Sequence, residues 1–165
     1  MQALLEISAF NDNTGVNLAA AVQLGTLVEY HWKYRDDAQA KIISVPGFNY
    51  IIIPEEDKQM VRDNIVIKMY QMENRAVIKQ YLRAITTISR FDYPDKWESL
   101  LTRDIAQALG SKEDRGILTG LMALFCVCKK YEFELDDVRE QLYKIVQDSQ
   151  EIMGQIIESY LPQIG

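Results

Sequence analysis

The sequence predicts an all-α chain, and three observations carry that reading. Apolar residues recur at steps of three and four in one segment after another; glycine and proline are sparse, at 8 and 4 in 165 residues; and only residues 50–53, closed by Pro54, form a short apolar run that could compete as a strand. Hydrophobic residues make up 48% of the chain and charged residues 25%, the balance of an ordinary globular segment. A chain of this length buries roughly 70% of the surface its unfolded form exposes, so a core needs neither disulfides nor a structural metal.

The first helix is expected over residues 2–9. It stops in Asn11-Asp12-Asn13-Thr14-Gly15, where Asn and Asp side chains bond to nearby backbone and compete with the helix. A second helix over about residues 14–34 places Val16, Ala20, Leu24, Leu27, Val28 and His31 on one face. Residues 35–53 are the longest irregular stretch, with Pro46-Gly47 and an apolar tail. Pro54 followed by Glu55-Glu56-Asp57 starts a third helix, running to about Met69: proline needs no N–H at the first helical position, and acidic groups suit the positive end of the helix dipole.

Glu73 or Asn74 opens a fourth helix with Val77, Ile78, Tyr81, Leu82, Ile85 and Ile88 inward. Asp92-Tyr93-Pro94 ends it, because the residue before a proline leaves the helical region. Pro94 starts the fifth, which carries Trp97, Leu100, Leu101, Ile105, Ala108 and Leu109 on one face and meets Gly110 where a C-terminal glycine belongs. Ser111 with Asp114 is an imperfect capping box for the sixth helix, whose expected core side is Ile117, Leu121, Leu124, Phe125 and Cys128. Asp136 and Asp137 flank the start of the seventh, with Val138, Leu142, Ile145, Val146, Met153, Ile156 and Tyr160 as its face and Pro162 as its end.

Helices two to seven group into antiparallel pairs beginning near residues 14, 73 and 112. A period of roughly 40 residues built from helix pairs is the signature of HEAT and armadillo arrays. The expected architecture is therefore an α-α superhelix, a solenoid of about three and a half HEAT-like pairs. The unpaired first helix and the lack of polar capping repeats lead us to expect residues 1–165 to be a single segment of a longer solenoid.

The same residues argue against several functions. With 18 basic and 24 acidic side chains the net charge is −6, which offers no basic footprint for direct nucleic-acid binding. The apolar stretch at residues 117–127 falls short of the roughly 20 residues a bilayer span needs, so no membrane insertion is expected. Residues 1–10 lack the basic start and cleavage site of a secretion signal, which points to a reducing compartment and free thiols. His31 is the one histidine and lies on an apolar helix face. Cys126 and Cys128 point about 200° apart on a helix. No glycine-rich phosphate loop is present, and Glu55-Glu56 and Asp136-Asp137 read as helix-start charges rather than acid–base pairs. The expectation is a protein that is no enzyme, with no cofactor and no metal.

Particular motifs add a family. The segment from Val16 to Trp32, with Ala19, Ala20, Leu24 and Trp32 in place, resembles the N-terminal motif of the importin-beta, or karyopherin, family. It departs at Asn17, where the family has arginine, and at Gly25-Thr26, where it has Lys-Asn. Asp92-Tyr93-Pro94, Trp97, Leu100 and Leu101 are similar to that family's Asp-Tyr/Phe-Pro-x-x-Trp-x-x-Leu signature. Pro54-Glu55-Glu56-Asp57, Arg62-Asp63-Asn64-Ile65, Gly116-Ile117-Leu118 and Lys129-Lys130-Tyr131-Glu132-Phe133 look like the importin seven and importin eight branch.

The resemblance implies the N-terminal part of a nuclear transport receptor that binds the GTP form of the small GTPase Ran. It also implies shuttling between cytoplasm and nucleus in protein import, with cargo proteins and nucleoporins engaged through the full-length receptor. In that family the second helix of each repeat lines the concave side, here residues 2–9, 55–69, 95–109 and 136–160. Lys58, Arg62, Lys96 and Arg103 are read as solvent-side positions there and as candidate Ran contacts. Packing alone accounts for Trp97 as a buried wedge, and for Ala19, Ala20 and Trp32 as residues that let helices approach and close an end. A HEAT scaffold outside transport, or an export receptor of the same superfamily, would share the periodicity.

Overall fold

The computed structural model describes residues 1–10, 12–33, 51–132 and 136–163, with the side chains of residues 10, 136–138 and 163 left aside. Its elements are α1 (Gln2–Phe10), α2 (Thr14–His31), α3 (Glu55–Tyr70), α4 (Arg75–Asp92), a π-helical turn (Leu100–Ile105) that continues as α5 (Ala106–Leu109), α6 (Asp114–Lys130), α7 (Asp136–Tyr160) and a closing 3₁₀ turn (Leu161–Gln163). Among the described residues there is no strand, and residues 51–53 are extended without pairing. Most of the expected irregular stretch, together with Tyr34, Tyr50 and Phe133, lies outside the described residues.

Caps set the helix starts. Asn13 Oδ1 accepts from the Gly15 and Val16 N–H groups at 2.9 and 3.3 Å, and Asn74 Oδ1 from the Ala76 N–H at 2.9 Å, satisfying donors that a helix leaves orphaned. The helices then stack in two layers. α2, α4 and α6 lie side by side in layer A, and α1, α3 and the π-turn with α5 lie side by side in layer B. This is the all-α, HEAT-like stack of antiparallel pairs expected from the sequence. The pairs start at residues 14, 75 and 114, the first interval being longer because residues 32–54 intervene.

The core runs between the layers through Leu24, Val28, Ile65, Met69, Tyr81, Ile85, Ile88, Trp97 and Leu100, all buried. A buried hydrogen bond of 2.7 Å between Ser8 Oγ and the Tyr81 hydroxyl joins α1 to α4, and burial pushes the Tyr81 phenol up to about 12. Along the outer side of the π-turn and α5, α7 buries Ile145 but leaves a groove of about 530 Å³, walled by Tyr93, Pro94 and Leu101 on one side and Lys144, Asp148 and Ile152 on the other.

Several expectations are corrected. In α2 the expected face holds at Ala20, Leu24, Val28 and His31, which are buried, but Ala19 is exposed, Val16 is 42% exposed and Leu27 is half-buried; Ala21 and Gly25 are buried in their stead. In α6 the buried face is Gly116, Thr119, Gly120, Ala123, Cys126 and Val127, while Phe125 is 66% exposed and Ile117, Leu121, Leu124 and Cys128 are half-buried. Small side chains face α5 because the helices approach closely: a Cβ on Gly120 would lie 2.7 Å from Leu109 Cδ2. Pro94 does not start a helix either. Residues 93–98 form a turn with a cis Tyr93–Pro94 peptide, and helical structure resumes at residue 99. Ser111 bonds to the backbone of Glu113 instead of capping α6.

Candidate interaction site

Two tryptophan–carboxylate–guanidinium constellations stand at the junction of the first two helix pairs. In the first, Trp32, just past the end of α2, donates its indole Nε1–H to Asp92 Oδ2 at 2.9 Å. Arg62 of α3 donates through Nη1 to the same oxygen at 2.6 Å. Asp92, the last residue of α4, also uses its backbone carbonyl to accept from the Lys96 and Trp97 N–H groups at 2.7 and 3.0 Å, so one residue fastens α2, α3 and the following turn. Trp32, Arg62 and Asp92 are 1%, 2% and 5% exposed. Lys58, one turn before Arg62 and also buried, lies over the Trp32 ring at 5.7 Å from its centroid.

The second constellation repeats the pattern one pair further on. Trp97 Nε1 donates to Asp104 Oδ2 at 3.3 Å, and Arg103 Nε donates to Asp104 Oδ1 at 2.7 Å. Arg103 then reaches Asp63 Oδ1 through Nη2 at 3.0 Å. Gln59 joins the two sets, accepting from Arg62 Nη2 at 2.8 Å and donating to Asp63 Oδ2 at 3.0 Å. Arg62 Nη2 also meets Glu55 Oε1 at 2.5 Å.

The electrostatics follow from burial and pairing. Burial pushes the Glu55 and Asp63 carboxyls up, but the hydrogen bonds and charge of Arg62 on the first, and those of Gln59 and Arg103 on the second, leave both below the usual carboxylate range. Burial raises Asp104 despite Arg103 beside it, and burial lowers Lys58 despite Glu55 and Asp92 nearby. Hydrogen bonds to Asp104 and Asp63 keep Arg103 firmly charged. Buried charges stay ionised only when they are paired and hydrogen-bonded in this way.

Of the four cations read from the sequence as solvent-side, two are not. Lys58 and Arg62 point inward, and in each the charge is spent on Trp32 and Asp92. Lys96 and Arg103 remain on the surface. Helical periodicity had no means of marking Arg62 as internal, because its partner Asp92 lies 30 residues away. Asp104, Glu55 and Gln59 were missed. For Asp104 a signal existed: a carboxylate set among Leu100, Leu101 and Ile105 on an apolar face. Among the described residues no three His, Cys, Asp or Glu side chains gather to hold a metal, and no helix is long and apolar enough to cross a membrane.

Residues 1–71, spanning α1 to α3, match the importin-beta N-terminal domain. The chain is 30% identical over 132 residues to Importin-8 of Mus musculus, a match covering 80% of this chain and 12% of that protein. Importin-8 of Homo sapiens is 31% identical over 129 residues, 77% of this chain and 12% of the relative. The Probable importin-7 homolog of Dictyostelium discoideum is 25% identical over 158 residues, 94% of this chain and 14% of the relative. The chain thus spans 12–14% of the length of these relatives. The motif resemblance to the importin-beta family, including its seven and eight branch, agrees with these matches. Trp32 and Arg62 lie inside the matched residues 1–71 and Asp92 lies beyond them, so the network fastens that region to the next helix pair.

Proposed function

We propose that this chain is an N-terminal HEAT-repeat segment, residues 1–165, of a nuclear transport receptor, and that it binds the GTP form of Ran through layer B. The observation that carries the reading is the importin-beta N-terminal domain at residues 1–71, continued by α4 to α6 in the same two-layer stack. Layer B is the family's ligand-bearing layer by the resemblance, and Lys96 and Arg103 stand exposed where the α4–α5 turn and the π-turn meet it. Selectivity for the GTP form would follow from its ordered switch loops, which present a docking surface that the GDP form lacks. A receptor of this kind exchanges cargo for Ran as the nucleotide state changes and shuttles between cytoplasm and nucleus. Its full-length form meets cargo proteins and nucleoporins.

The test is a calorimetric titration of the chain against Ran in the GTP and GDP states at one salt concentration, since exposed charge pairs weaken with ionic strength. Binding of the GTP form alone supports the reading. Equal or absent binding of both forms refutes it and leaves a nucleotide-blind scaffold.

A further inference from the structure

The two layers carry opposite charge. In the helices of layer A, α2, α4 and α6, seven Lys and Arg side chains stand against three Asp and Glu, one of which, Asp92, is buried. In layer B, α1, α3 and the π-turn with α5, the count is four basic against six acidic, and α7 adds two basic and six acidic. A chain with net charge −6 therefore presents one locally positive side.

On that side, α2, α4 and α6 enclose a groove of about 570 Å³. Its apolar lining comes from Leu82, Leu121 and Phe125, the last 66% exposed. Arg90 and Lys129 stand on the groove with no ion pair among the described residues. Arg83 is tied to Glu29 across the α2 side and closes that flank. An exposed aromatic ring lining the same groove as two cations without ion pairs matches the anatomy of an interface, with an apolar centre and a charged rim.

We propose that this groove docks an acidic peptide segment of another protein that presents a bulky apolar side chain. The apolar residue sits against Leu82, Leu121 and Phe125. Flanking Asp or Glu side chains meet Arg90 and Lys129, and the positive field of layer A speeds their approach. A phosphate backbone would use the cations and leave the apolar lining unused. The surface is separate from the Ran surface of layer B, so it stands or falls independently of that reading.

The probe is a short fluorescein-labelled peptide of Asp and Glu around one Phe and one Leu, followed by anisotropy as the chain is added. Controls are the same peptide with Ser for Phe and Leu, and a labelled single-stranded DNA. The expected result is salt-sensitive binding of the apolar acidic peptide, weakened about tenfold by Arg90→Glu with Lys129→Glu, and weakened also by Phe125→Ser. All three residues are exposed, so the variants keep the thermal transition of the parent, checked by circular dichroism. No binding, equal binding to the Ser control, tighter binding of the DNA, or variants that bind like the parent would each overturn the proposal.

Discussion

Replacing Asp92 by alanine removes the one carboxylate that serves both Trp32 and Arg62. Arg62 is 2% exposed, so its guanidinium cannot turn to water and is left with Glu55 and Gln59 alone. Breaking a buried ion pair from one side costs about 3–5 kcal/mol. The Trp32 N–H, left unpaired, carries a desolvation cost of about 1–3 kcal/mol, and because both bonds end on one oxygen the two costs overlap rather than add. We expect a loss of about 4 kcal/mol, which at this chain length lowers the Tm by about 10 °C. Urea unfolding followed by the helical circular dichroism signal measures it. The double variant Asp92→Leu with Arg62→Met removes both charges and should cost less than Asp92→Ala alone, the mark of an uncompensated charge. A loss below about 1 kcal/mol in the single variant, or a double variant worse than the single, would refute the assignment of Asp92 as the fastening point.

Three further outcomes follow from the same packing. Trp97→Ala removes a fully buried side chain and should cost about 3–5 kcal/mol with a broadened unfolding transition; an unshifted, sharp melt would count against the wedge. Gly120→Val forces a side chain into Leu109, whose atoms already lie 2.7 Å from an added Cβ, and should lower stability by at least about 1–3 kcal/mol; Gly154→Ala, with nothing within 4 Å, should be neutral or stabilise by about 0.4–1 kcal/mol, and thermal melts compare the two. His31 accepts the Ile51 N–H through Nδ1 at 3.0 Å, and burial lowers its pKa below 6.5. The unfolded chain therefore takes up the proton first, so stability is full above about pH 6.5 and falls as the pH drops below it; urea midpoints at pH about 7.5 and 5.5 should differ in that sense, and His31→Gln should remove the difference.

Much of this fold was legible in the residues. The inward face of α4 was read from spacing, and Val77, Tyr81, Ile85 and Ile88 are buried as expected, because large aliphatic and aromatic residues at steps of three and four admit one orientation. The reading failed where size ran against polarity. In α6 the larger apolar side chains were taken as the core face, yet tight packing selects Gly116, Gly120 and Ala123 for contact and leaves Phe125 outside. In α2 the face was right at Ala20, Leu24, Val28 and His31, but the run Ala19-Ala20-Ala21 gives no size contrast, so Ala19 was paired with Ala20 where Ala21 is the buried neighbour. The candidate site was legible only in part: Asp92, Trp32 and Trp97 were singled out as a motif, but their hydrogen bonds cross 60 and 30 residues of sequence, and no local pattern records which cation enters the core with them. Nor does local pattern announce a π-helical turn, whose wider winding at Leu100–Ile105 accompanies the Trp97–Asp104 bond.

The pins at Asp92 and Asp104 have a mechanical meaning. Between α1 and α5 the layers are joined by filled packing and by charged hydrogen bonds that tolerate little sliding. Past α5, the groove of about 530 Å³ beneath α7 leaves that helix held chiefly through Ile145 and its neighbours. A bending load on this stack would therefore be taken up at one end, with helices α1 to α5 turning as a stiff block and α7 yielding against it like a leaf spring on a clamped bar.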